Sequence, residues 1–258
     1  MNDPDTQTLI PTPELTATAT GARAGTSASE LEPILNFVAA IESILRQPRR
    51  VMYQLQQPGA SRLIVRMILV AVVCALTYGV VVGAFSGGEQ LWAAPTKITV
   101  GLLLSVMICL PSLYIFACLT GSAVRPVEVV GFVSGLAMLM TILLVGFAPV
   151  AWIFSQSTES AVVMGALHLA FWLISSCFGL RFLGAGFNHQ KNHSGGGIKI
   201  WMVIFVLVML QMMTAMRPLI GTADTLLPVQ RRFFVTHWLD CLKQDHDSES
   251  SRNDSTTR

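Results

Sequence analysis

Charge is what this sequence has least of. Only 12% of its 258 residues are Asp, Glu, Lys or Arg, about half the share usual in a soluble domain. Those few fall almost wholly outside several long apolar runs, which excludes an ordinary soluble fold. The net charge of +2 is too small and too scattered for a nucleic-acid footprint, so no nucleic-acid partner is expected. The five cysteines include no CxxC pair. Cys74, Cys109, Cys118 and Cys177 lie inside apolar runs, where a thiol packs as a small apolar group, so neither a metal nor a redox role is expected. Residues 1–30 lack the apolar core of a cleavable signal, and the first hydrophobic run is expected to act as an uncleaved signal-anchor. Catalytic signatures are missing too: HExxH, GxSxG and the phosphate-cradling Gly-Lys-Ser/Thr loop do not occur, and the FVSG at 132–135 has the wrong spacing for a nucleophile elbow. No carboxylate or Lys/Arg falls in the middle of an apolar run, so the pairs needed for intramembrane acid–base chemistry or ion coupling are wanting. No enzyme activity and no cofactor are expected.

What is present is hydrophobic length. Side chains of the apolar class make up 52% of the chain. They gather into five runs: Met67–Phe85, Ile98–Thr120, Val129–Phe154, Ala161–Leu180 and Ile200–Met216. At 1.5 Å per residue, runs of this size approach or exceed a hydrocarbon core of about 30 Å. The second and third are joined by GSAVRPVE, a turn short enough to require an antiparallel hairpin. The expected fold is an all-α, polytopic transmembrane bundle of five spans with flanking amphipathic helices.

The flanks divide as follows. Residues 1–29 are rich in Thr, Ala, Pro and Gly and are read as a disordered tail. Residues 30–62 form an amphipathic cytoplasmic helix region. Pro33 sits in the tolerant first turn, Ile34, Phe37, Val38, Ile41, Ile44 and Leu45 recur at helical spacing, and Pro48 ends or kinks the helix. The five-helix domain occupies 63–220. Residues 221–258 hold a second amphipathic segment, with Phe234, Val235, Trp238, Leu239 and Leu242 on one face, and then a polar tail. Arg46, Arg49 and Arg50 are placed to meet anionic lipid, although a helix docked on the bundle or on a partner reads equally well.

Basic residues set the orientation. Nine lie on the N-terminal side: Arg46, Arg49, Arg50, Arg62, Arg66, Arg125, Arg181, Lys191 and Lys199. Four lie on the other: Lys97, Arg217, Arg231 and Arg232. The N-terminus is therefore expected in the cytoplasm and the C-terminus outside, in a membrane of bacterial inner-membrane type.

Within the spans, Gly79/Gly83 and Gly131/Gly135 are GxxxG notches for close helix packing. Pro111 and Pro149 are candidate bends. His168 is the one ionisable side chain, other than Cys or Tyr, deep in a run, and it stands either as a structural hydrogen-bonding residue or as the lining of a polar pathway. His189 and His193, spaced i,i+4, fall in a glycine-rich loop unsuited to a metal site. The segment ACLTGSAVRPVEVVGFVSGLAMLM, with its small-residue turn at Gly121 and Ser122 and its polar step at Arg125 and Glu128, resembles the Yip family of five-span membrane proteins. The likeness covers roughly residues 63–220, departing where Leu110-Pro111 falls one span earlier than the family's Leu-Pro pair. It implies a cytosolic N-terminal region and action through partners and membrane, and it carries over no site residues. The expected function is that of a non-enzymatic scaffold or partner subunit, bound to the lipid bilayer and to a membrane-protein partner or a second copy. The alternative is a transporter or channel subunit with a path lined by kinked spans.

Overall fold

The structure, a computed structural model, describes residues 31–86, 90–119, 124–157, 161–188 and 196–215. The 1–29 tail, the Gly121–Ser122 turn, His189, His193, Lys191, Cys241 and the 221–258 segment lie outside the described residues. Among the described residues every regular element is helical. Two short helices, α1 (Phe37–Arg46) and α2 (Pro48–Leu55), precede five longer ones: α3 (Ala60–Ser86), α4 (Gln90–Leu119), α5 (Pro126–Ser157), α6 (Ala161–Asn188) and α7 (Gly196–Ala215). Four of these, α3 to α6, are long and apolar enough to cross a membrane, which marks the chain as an integral membrane protein. The apolar stretch of α7, Gly197–Met212, is shorter, about 24 Å at helical rise.

Local chemistry explains the boundaries. The first helix begins at Phe37, later than Pro33 suggests, because residues 32–36 are held by side chains instead of by a helical ladder. Gln54 Oε1 accepts from the Ile34 amide at 2.9 Å, Arg66 donates to the Ile34 carbonyl at 2.9 Å, and both Arg50 and Gln54 donate to the Glu32 carbonyl. Pro48 opens α2, where its missing amide costs nothing. Gly59, at φ 98°, makes the turn into α3, a backbone conformation that side chains with a Cβ resist. At α5 the Arg125 carbonyl accepts from the Glu128 and Val129 amides, Pro126 fills the first position, and Glu128 meets the positive end of the helix dipole. The helix α4 starts well before the expected Ile98. It takes in Trp92 and Pro95, and Thr96 Oγ1 donates back to the Trp92 carbonyl at 3.0 Å. Lys97, expected in a polar loop, is thus the eighth residue of a helix and is buried.

The centre of the bundle is α5. Of its most apolar window 72% is buried, against 28% for α4 and 44% for α3 and α6. Its main partners are α3 and α6, and its contact with α4, its neighbour in the expected hairpin, is slight. The reason lies in the side chains. A seam of Met67, Ala71, Ala75, Tyr78 and Val82 gives α3 a narrow face at helical spacing for α5 and its neighbours. On α6, Gly179 lies against Leu136 and Met140, and Gly186 against Phe132. In turn α7 packs on α4 through Ile198, Trp201, Phe205 and Met209, and barely touches α6.

Candidate functional site

The glycine notches are filled from within the chain. A Cβ on Gly79 would run into the backbone of Pro95, so α3 and α4 meet there main chain to main chain. Gly83, one turn on, is also buried. Gly131 receives the side chain of Leu55, and a Cβ there would stand 2.5 Å from its Cδ2. Gly135 receives Phe182 of α6, with Ile44 behind it. The second notch therefore seats the N-terminal helix pair: α1 buries Ala40, Ser43 and Ile44, α2 buries Val51, Met52 and Leu55, and together they wedge into one end of the bundle. That leaves Leu35, Phe37, Val38 and Leu45 exposed on the outer side of the wedge.

The three arginines of this region have different surroundings. Arg50 turns inward, its side chain 14% exposed, to bond the Glu32 carbonyl at 3.0 Å and the Glu32 carboxylate at 3.4 Å. Arg46 pairs with Glu42 at 2.9 Å on the open surface, a geometry worth little in water. Arg49 is exposed.

Pro111 leaves α4 continuous, and a polar clasp forms beside it. Ser112 Oγ donates to the Cys109 carbonyl at 2.8 Å. The Trp201 indole N–H of α7 reaches both that carbonyl, at 3.2 Å, and Ser112 Oγ, at 2.9 Å. Proline interrupts the helical ladder, and the clasp ties α7 to α4 at that place. Trp201 is fully buried and stacks on Phe205, with ring centres 5.3 Å apart. Pro149 lies on an exposed part of α5, close to Gly146, whose Cβ position faces open space. Pro111 and Pro149 each lie eight residues before the C-terminal end of their helix, and α4 and α5 run in opposite directions, so the two prolines sit near opposite ends of the bundle.

His168 is buried, and its Nδ1 lies 2.7 Å from the Tyr78 hydroxyl across the α3–α6 gap. The rings meet edge to face, centres 5.7 Å apart. The ring's other nitrogen, Nε2, is buried with no hydrogen-bond partner among the described residues. Tyr78 was not singled out by the sequence, since a tyrosine in an apolar run carries no signal of its partner. Tyr78, Lys97, Thr99 and His168 all lie about 10–14 Å from the same end of their helices at 1.5 Å per residue. That half of the bundle thus holds several buried polar groups, Thr99 Oγ1 being another without a partner among the described residues. Other hydroxyls turn back on their own helices: Ser105 to Gly101, Ser134 to Val130, and Thr141 to Ala137 and Met138. This is how a polar side chain in a lipid-embedded helix is satisfied without a pathway. Ser43 Oγ and Ser175 Oγ, by contrast, are buried with no partner among the described residues. Among the described residues no three of His, Cys, Asp and Glu come together as a metal site.

Against this geometry the chain was compared with known proteins. No family model, curated protein or solved structure matches it.

Proposed function

We propose that this chain is a five-span protein of the bacterial inner membrane that works as a non-enzymatic scaffold or partner subunit, with its N-terminus in the cytoplasm and its C-terminus outside. The observation that carries this reading is the wedge formed by α1 and α2. It is anchored in the bundle through Leu55 on Gly131 and Ile44 near Gly135, while Leu35, Phe37, Val38 and Leu45 remain bare beside Arg46 and Arg49. A rigidly mounted apolar strip with basic neighbours suits the membrane–water boundary, where it presents a surface to lipid and to a membrane partner. In this reading α7, which carries most of the Ile200–Met216 run, is the fifth span. The resemblance to the Yip family belongs to the same proposal.

Extraction in a mild detergent, followed by size-exclusion chromatography with light scattering, tests it. A stoichiometric membrane-protein partner or a discrete oligomer is expected. A lone monomer in every mild detergent and in nanodiscs sinks the reading.

One observation favours the alternative, a transporter or channel subunit: the buried Tyr78–His168 pair with an unpartnered Nε2. That reading requires flux through proteoliposomes that His168→Ala abolishes. No flux from the wild-type protein, alone or with its co-purified partner, removes it.

A further inference from the structure

Between α6 and α7 runs a groove of about 590 Å³. It exists because each helix is held by a different neighbour, α6 by α5 and α7 by α4, and the two hardly touch each other. Gly184 and Ala185 keep the α6 wall low, and Leu173 and Val206 line the groove farther in. At one end stand two cations, Arg181 from α6 and Lys199 from α7. Both are exposed, and neither has a hydrogen-bond or ion-pair partner among the described residues. Among the described residues no acidic side chain lines the groove.

The two helices run antiparallel, so the distances agree. Leu173 lies eight residues inward from Arg181, and Val206 seven inward from Lys199. Both walls therefore descend about 10–12 Å from the charged end into the apolar depth. The cations also fall on the side that the distribution of basic residues assigns to the cytoplasm, the leaflet face with anionic lipid.

We infer that this groove is a binding site for one anionic phospholipid, its phosphate between Arg181 and Lys199 and an acyl chain laid along the walls toward Leu173 and Val206. Charge complementarity decides the occupant. A zwitterionic lipid would bring its own cation toward the two already there, and an apolar helix would leave both of them unpaired. The volume takes a phosphate headgroup and a stretch of one acyl chain, leaving the rest of the lipid in the bilayer. The site rests on the part of the proposed reading that embeds α7 in the bilayer, and it is independent of any protein partner.

The test uses the full-length chain in detergent, incubated with equal amounts of dioleoyl phosphatidylglycerol and dioleoyl phosphatidylcholine and examined by native mass spectrometry. The expected result is one phosphatidylglycerol adduct retained several-fold over phosphatidylcholine. The preference should fall to parity in Arg181→Gln/Lys199→Gln and persist in Arg46→Gln/Arg49→Gln. A second variant, Gly184→Leu, fills the groove and leaves its charge unchanged, and it should lose the adduct as well. Cys177 lines the groove and reads the same event in the unaltered groove, with the other four cysteines replaced by serine. Its modification by N-ethylmaleimide should slow several-fold when phosphatidylglycerol is added. Equal retention of the two lipids by the wild type, an unchanged preference in the double variant, or protection of Cys177 by a second copy or by the chain's own C-terminal segment overturns the site. Labelling of cysteines placed at both ends of α7 separates the causes. Failure with α7 crossing the membrane removes the lipid site alone, and failure with both ends on one side removes the five-span topology with it.

Discussion

At the scale of single residues, what distinguishes positions in this bundle is whether a small side chain is needed or merely present. Gly79 has the Pro95 backbone against it, so even one methyl must push α3 from α4. Gly146 has nothing within 4 Å of its Cβ position. Gly79→Ala is therefore expected to lower stability by about 1–3 kcal/mol, the usual cost of overpacking. Gly146→Ala should be neutral or gain up to ~1 kcal/mol from helix propensity. Thermal unfolding in detergent compares them, and equal effects would mean the backbones do not meet at Gly79. The Tyr78–His168 bond is the other residue-scale case. Interhelical hydrogen bonds in membranes average about 0.6 kcal/mol and reach ~1.7. Tyr78→Phe is expected near the upper figure, because it leaves both ring nitrogens of His168 without a partner. Adding His168→Leu should recover part of the loss, since removing both polar partners costs less than stranding one. A double-mutant cycle measures this, and strict additivity would show the bond to be inert.

At the scale of elements, the bundle is held by unlike joints. The α4–α7 joint depends on a polar clasp beside a proline. Trp201→Phe keeps the ring and removes the N–H that binds the Cys109 carbonyl and Ser112. Hydrogen exchange should then quicken along α7, by roughly tenfold for a loss of about 1.4 kcal/mol, while α3 and α5 hold their protection. Equal quickening everywhere would argue that α7 is no separate unit. The joint of α2 to α5 is apolar and local, with Leu55 fully buried on Gly131. Leu55→Ala should cost about 2–4 kcal/mol of docking and open the Gln47 and Gln56–Gly59 linkers to protease, without unfolding α3 to α6. Unchanged digestion would mean that the wedge is held by its polar ties at Glu32, Ile34 and Arg66 instead.

At the scale of the whole molecule, the proposed function depends on topology. Reporter fusions should place Arg125 and Lys199 on the side of the N-terminus, and residues 88 and 159 on the other. A reporter after Arg258 should join the second group if α7 crosses, and the first group if it turns back. Much of this scale was readable in the chain before any coordinates. The apolar runs depend on local spacing, and a helix in lipid has little freedom to do otherwise. The start of the first helix, expected from Pro33 and Ile34, instead falls at Phe37 because distant side chains hold residues 32–34. The pairing of helices was not readable. Nothing near Gly131 announces Leu55, nor anything near His168 announces Tyr78, since these contacts join segments 76 and 90 residues apart.

The sequence alone determined that this protein lives in a membrane, roughly where its helices begin and end, and which residue types they contain, because the cost of an unpaired backbone in hydrocarbon leaves one local solution. Only the tertiary structure decided that α5 is the centre and meets its hairpin neighbour α4 only slightly, that Lys97 is drawn into a helix, that the Gly131 notch seats the chain's own N-terminal wedge, and that α6 and α7 leave a groove between two cations. All uncharged helices present nearly the same hydrophobicity to lipid, so hydropathy cannot choose among their partners. Shape does that, through the placement of glycines, prolines and large rings on particular faces.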